Sequence, residues 1–374
     1  MHDTASTPPD PAHAPRPAGG RHRGWRGDWL ARQIDTLYPG SFALVMATGI
    51  ISNAFYVEGM RGISDALFDI NVAAYAWLIA ATAARLVRAP RALWADLVSP
   101  QLTFAFFTLV AATDVLGFGI LLRGHGGLAL SLWTAALGLW LVLIYLCFGV
   151  LIFLNTAHGA NVVNGGWLIA IVGTESLVVL GTQVAPLAGA AGPTIFVLIH
   201  MLWGVGLALY GIFIVLFAQR VFFIDVAPDD ITPLLWVVMG AAAITTNAGA
   251  TLILTDSGLP YLNAMRPFID GVTLIAWAWA TWWIPLLVLF GLWKHGACRV
   301  PVRYTPMLWS LVFPLGMFAL ASLRLSLAAG VPLLRTLSEA MVWIALAAWI
   351  ATASGLAWSV WRSFSGRAEE AATS

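Results

Sequence analysis

Charge is what this chain most lacks. Only 10% of its 374 residues are Asp, Glu, Lys or Arg, against 60% hydrophobic, whereas soluble domains carry roughly 25% charged residues. A water-soluble fold of this length could not cover its surface with so few charges, so the composition calls for a bilayer as solvent. Cysteine is scarce as well. Cys147 in an apolar run and Cys298 in a basic loop make neither a disulfide framework nor a metal set. The seven histidines are scattered, with no HExxH or CxxC spacing, so neither a metal nor another cofactor is expected. A net charge of +1 implies no general attraction to nucleic acid.

The first 36 residues hold no apolar stretch and are rich in Pro, Ala, His and Arg. A secretory signal would place an apolar core of about 7–15 residues there, and none occurs before Ser41. Residues 1–36 read as a disordered cytoplasmic tail, either merely solvated or with Arg21, Arg23, Arg26 and Arg32 against anionic headgroups. Residues 365–374 read as a second cytoplasmic tail, leaving 37–364 as one membrane domain.

What is present is a series of long apolar runs. About 20 residues cross a hydrocarbon core of roughly 30 Å, and ten such runs can be marked: 40–57, 68–87, 101–122, 128–154, 166–187, 193–218, 233–255, 268–292, 306–328 and 336–362. Short connections predict antiparallel hairpins. With the amino terminus inside, 14 of the 19 Lys and Arg fall on the inner side and four on the outer, while Arg324 lies within a span. That bias puts both termini in the cytoplasm, in a multi-pass protein of the inner membrane. Trp94, Trp167, Trp293 and Trp361 fall at span ends, where an interfacial belt belongs.

Polar and helix-weakening residues concentrate in the odd spans. Span 1 carries Thr48, Gly49, Ser52 and Asn53; span 3 carries Thr113, Asp114, Gly117 and Gly119. Span 5 has Gly173, Thr174, Glu175, Ser176, Gly181, Thr182 and Gln183; span 7 has Thr245, Thr246, Asn247, Gly249 and Thr251. Polar groups in hydrocarbon are costly unless they face other helices or water. The odd spans are therefore expected at the centre of five hairpins, with the even spans outside. Small residues also let helices pack closely, so each of these positions has that alternative reading.

Span 9 is the most informative. Pro314 interrupts it, and Ser310, Phe313, Met317 and Arg324 share one face at 3.6 residues per turn. Phe313 at a proline kink could plug a narrow axial path or be ordinary packing. Arg324, nearer the outer mouth, could draw anions in, snorkel, or join a structural ion pair.

Five stretches in order carry a family likeness: PGSFALVMATGIIS, FFTLVAATDVLG, VGTESLVVLG, ITTNAGATLI and WSLVFPLGMFALAS, on spans 1, 3, 5, 7 and 9. With them the chain resembles the tellurite-resistance/dicarboxylate transporter family, which includes TehA-like bacterial proteins, fungal malate permeases and plant slow-type anion channels. The resemblance implies an all-α membrane fold of ten helices in quasi-fivefold array and a homotrimer with one pore per protomer. It also implies a phenylalanine gate, matched by Phe313 beside Pro314. The implied substrates are small anions, either chloride and nitrate or dicarboxylates such as malate. Candidate pore-lining residues are Thr48, Gly49, Ser52, Gly117, Thr174, Thr182, Thr246, Gly249, Ser310 and Met317.

Asp114 and Glu175 complicate an anion path, because carboxylates facing a narrow pore would repel the substrate. Asp114 is expected to turn away from the axis toward neighbouring helices. Glu175, on a polar face with Thr174 and Thr182, is the preferred proton-coupling candidate. The rival transport reading is proton-coupled dicarboxylate or tellurite export, and a further one is a non-conducting membrane sensor. A membrane enzyme would show catalytic groups clustered near one interface, and the sequence shows no such cluster.

Overall fold

The computed structural model describes residues 25–154 and 163–373. The tail reading of residues 1–24, with Arg21 and Arg23, lies outside the described residues, as does the side chain of Arg26. Every regular element among the described residues is helical.

Ten helices are long and apolar enough to cross a membrane: Pro39–Val57, Arg61–Arg88, Thr103–Leu122, Gly126–Leu154, Gly165–Leu187, Gly189–Phe223, Pro233–Leu254, Arg266–Ala297, Pro306–Ala329 and Pro332–Ser363. They are spans 1 to 10 below. The expected boundaries hold within a few residues, except that some even spans extend further. Odd spans are 19 to 24 residues long and even spans 28 to 35. At 1.5 Å per residue the odd spans match a hydrocarbon core of about 30 Å, while the even ones overshoot it.

Burial separates the two sets. In their most apolar stretch, 72 to 94% of odd-span residues are buried, against 22 to 28% of even-span residues. The odd spans pack in a closed ring, 1 on 3, 3 on 5, 5 on 7, 7 on 9, and 9 back on 1. Each even span packs on the odd span before it. Polar side chains then lace it to the odd span after it. Tyr75 of span 2 shares a hydrogen bond with Thr113 of span 3 at 2.9 Å. Indole N–H groups do the rest: Trp140 donates to Thr174 Oγ1, Trp203 to the Thr245 carbonyl, Trp277 to Ser322 Oγ and Trp349 of span 10 to Thr48 Oγ1 of span 1. A polar group in the membrane must find a partner inside the protein, and here five such pairs link successive hairpins all the way round.

All five odd spans run in the same direction, and each opens with a short 3-10 turn: Pro39–Phe42, Thr103–Phe106, Gly165–Leu168, Pro233–Trp236 and Pro306–Leu308. These turns also touch in a closed ring, at what is here called the starting face. Their approach is close. A Cβ on Gly165 would run into the Leu234 carbonyl of the neighbouring turn, so only glycine fits there.

Trp25–Asp35 is helical, a correction to the structureless tail expected over residues 1–36. Its stripe of Trp29, Leu30 and Ile34 covers a cavity shared with Trp77 of span 2 and Leu356 of span 10. Arg85 Nη1 donates to the Leu37 carbonyl at 2.8 Å, and Arg88 pairs with Asp35 at 3.1 Å, fixing the helix to the end of span 2. At the other end of the chain the last helix continues to Thr373, through the stretch read as a tail.

Candidate functional site

A small cavity lies on the axis of the inner ring. Each odd span contributes two residues three apart: Ile50 and Asn53, Val115 and Phe118, Ser176 and Val179, Ile244 and Asn247, Met317 and Leu320. Residues at i and i+3 share a helix face, so all five spans present the same register to one point. Asp114 joins them. The cavity volume is about 20 Å³, room for about one water molecule. The axis is constricted at this level.

The polar groups around the cavity are partly unsatisfied. Ser176 Oγ donates to Asp114 Oδ2 at 2.7 Å, and Asn53 Nδ2 donates to the Val115 carbonyl at 3.0 Å. Asn247 Nδ2 reaches Met317 Sδ at 3.7 Å. Asp114 Oδ1, Asn53 Oδ1 and Asn247 Oδ1 are buried with no partner among the described residues. Unpaired acceptors cost free energy in an apolar core, so each of these three residues lining the cavity would gain from a donor.

Arg324 lies one turn beyond Leu320, away from the starting face. It is buried, with 7% of its surface exposed. Its Nη1 donates to Thr251 Oγ1 of span 7, and its guanidinium carbon is 4.9 Å from the centre of the Phe118 ring. Phe118 belongs to span 3, which is not a ring neighbour of span 9, so the side chain reaches across the axis. Stacking on an aromatic face stabilises a cation. No carboxylate pairs with Arg324 among the described residues.

Phe313 lies four residues before Met317, hence one turn nearer the starting face on the same side of the helix. It is buried. Its flanks fix its direction. A Cβ on Gly240 of span 7 would meet Pro314 Cγ at 2.7 Å, and one on Gly316 would meet Ile50 Cγ2 of span 1 at 2.8 Å. Span 9 is thus clamped on both sides, and helical register puts Phe313 on the face that carries Met317 and Leu320. Pro314 has no N–H to donate to the Ser310 carbonyl four residues back, which weakens the helix at this turn.

Most of the other expected pathway residues are engaged in hydrogen bonds or close packing within the helix bundle. Thr48 and Thr174 accept the indole hydrogen bonds of the outer helices. Ser52 donates to the Ser64 carbonyl of span 2 at 2.7 Å. Thr182 and Thr246 bond to carbonyls of their own helices. Gly49 lies against Asn71 and Val115, Gly117 against Leu180, and Gly249 against Thr273 of span 8. None of these eight lines this small cavity; an inner helix is surrounded by partners on every side.

Asp114 is placed contrary to expectation. Asp114 lines the axial cavity, because its partner Ser176 is itself an axial residue. Glu175 is fully buried but off the axis, against Gly206 of span 6, where a Cβ would strike the carboxylate, and beside Thr245 of span 7. Asn53, Ser176, Asn247 and Thr251 stand out in the sequence only as members of the polar sets of the odd spans, and Phe118 does not stand out at all. The available signal is the repeated i, i+3 pairs, with Asp114 next to the pair on span 3 and Met317 in the pair on span 9.

Residues 36–357 match the family described as voltage-dependent anion channel. Over 138 residues the chain is 41% identical to an uncharacterized membrane protein of Mycobacterium tuberculosis, found in two strains, covering 37% of this chain and 69% of the relative. Over 319 residues it is 25% identical to an uncharacterized transporter of Methanocaldococcus jannaschii, covering 83% of this chain and 91% of that one.

Proposed function

The chain belongs to the voltage-dependent anion channel family, and from that premise we propose that the axis of its inner ring is a gated path for small inorganic anions such as chloride and nitrate. The observation that carries this reading is Arg324, a buried cation that reaches across the axis without a carboxylate partner. A cation so placed attracts an anion in a low-dielectric setting far more strongly than in water.

An anion enters from the far mouth past Arg324 and Thr251, exchanging part of its hydration shell for guanidinium and hydroxyl donors. It then meets the constriction between Phe118 and Met317. Phe313, one turn further in, closes the path with its ring, and the weakened turn at Pro314 lets that ring swing aside. With one cation and few donors the site binds weakly, which favours passage over trapping. The working form is a homotrimer in the inner membrane with one path per protomer, and the starting face is cytoplasmic, in keeping with the basic residues there.

Asp114 favours a second reading, proton-coupled export of a dicarboxylate such as malate, or of tellurite. A carboxylate on the axis with one unpaired oxygen could load and release a proton as substrate passes. Reversal potentials of the purified protein in planar bilayers, in chloride, nitrate and malate gradients at two pH values, separate the two. Chloride or nitrate current that is independent of a pH gradient supports the channel. Malate flux that requires protons and stops in Asp114→Asn supports the exporter and refutes the channel.

A further inference from the structure

Away from the axis, the starting face holds a larger cavity of about 410 Å³ between the start of span 7, the end of span 8 and the start of span 9. Its floor is apolar, formed by Trp236, Leu287, Phe290 and Leu311, and its rim carries Lys294, His295 and Arg303. No acidic residue lines it among the described residues.

The rim is built by local backbone irregularity. Span 8 ends in a widened π-helical turn, Trp293–Ala297, a form that recurs at functional sites. That turn aims Lys294 and His295 into successive positions on the wall. Lys294 Nζ donates to the Ile231 carbonyl at 2.8 Å, and His295 Nδ1 is 2.7 Å from the Val300 carbonyl, so the rim is tied to both neighbouring loops. An ammonium has three donors, and two remain to Lys294. Arg299, in the same loop, is the one non-glycine residue with positive φ among the described residues, at 55°. Such strain persists where surrounding structure holds it, often at ligand clamps. Arg303 is exposed and forms no ion pair among the described residues. The nearest loop's Asp230 is already paired with Arg220 at 3.0 Å, so it does not neutralise the rim.

We propose that this cavity binds an anionic phospholipid of the leaflet on the starting face, with the phosphate between Lys294 and Arg303 and an acyl chain along the floor. A basic rim above an apolar floor, at the level where Trp293 is exposed at the end of a span, complements both parts of such a molecule. Basic pockets between membrane helices are suited to anionic headgroups. Free inorganic phosphate shares the headgroup chemistry but has nothing to place against Trp236 and Leu311. Leu311 lies two residues before Phe313, so a bound chain bears on the start of span 9.

The test uses the full-length protein purified in neutral detergent, with native mass spectrometry reading retained lipid. Phosphatidylglycerol should be retained in preference to phosphatidylcholine of the same chains. The double variant K294Q/R303Q should lose about 30-fold of phosphatidylglycerol retention, given the weight of two cations near an anionic lipid, with phosphatidylcholine unchanged. R303Q alone touches no structural hydrogen bond and should lose several-fold. R335Q, at the opposite face, should change nothing. Equal retention of the two lipids, or unaltered retention in both rim variants, overturns the proposal. Displacement of phosphatidylglycerol by inorganic phosphate at equal concentration would assign the pocket to a soluble anion and overturn the lipid.

Discussion

Replacing Arg324 with Gln should remove most of the attraction that draws an anion into the axis. The guanidinium carbon lies 4.9 Å from the centre of the Phe118 ring, and Phe118 lines the axial cavity. An anion in that cavity is then about 6 Å from the charge, which at an effective dielectric of about 20 gives about 3 kcal/mol. That corresponds to roughly 100-fold in occupancy. A closed gate would hide the effect, so the comparison is Phe313→Ala against Phe313→Ala/Arg324→Gln in planar bilayers. Chloride conductance and chloride-over-potassium selectivity are recorded at low and high salt. The loss should approach 100-fold at low salt and shrink at high salt because the site then fills by mass action even without the charge, screening of so buried a group being weak. Arg324→Lys keeps the charge but loses the planar stack on Phe118, and should fall between. The reasoning is refuted if the double variant, with an unchanged unfolding transition, conducts chloride with the parent's magnitude and selectivity.

The remaining expectations concern the gate, the carboxylates and the packing of the ring. Phe313→Ala should raise chloride conductance at least about tenfold, the effect of lowering a barrier by about 1.4 kcal/mol; no change in folded protein would remove Phe313 from the gate. Any dependence of flux on a pH gradient should disappear in Asp114→Asn and persist in Glu175→Gln, measured with a pH-sensitive dye in liposomes. Gly165→Ala should destabilise the protein by about 1–3 kcal/mol, as overpacking does, because the clash is with the fixed Leu234 carbonyl; an unshifted unfolding transition in detergent would show that the turns can separate.

The ten spans were readable because length and apolarity alone determine what can cross a bilayer. The inner and outer sets were readable too, since Thr48, Thr174, Asn247 and their neighbours cannot face lipid. Which way each inner residue turns was not readable. On a helix half in water, periodicity marks the buried face; an inner helix such as Gly165–Leu187 is buried all round, and polar residues are wanted on several sides. Thr48 and Thr174 serve outer indoles for that reason, while Ser176, two positions on from Thr174, faces the axis. Asp114 and Glu175 show the same effect. Each is buried and each carries a polar neighbour, and only the placement of Ser176 and Gly206 decides which carboxylate reaches the centre.

The five parallel inner helices have an electrical consequence. Each helix carries about half a positive charge at its amino end and half a negative charge at its carboxyl end. Five aligned in one ring sum to about +2.5 at the starting face and about −2.5 at the far one. The five antiparallel outer helices carry the opposite dipole but stand further from the axis, so the far mouth keeps only part of that negative charge, and Arg324 stands at that end, where a cation offsets the gathered carbonyls and lets an anion enter. The two mouths remain unequal even so. On the proposed reading an ion would meet a different profile from each side, and current along the axis should rectify even between identical solutions.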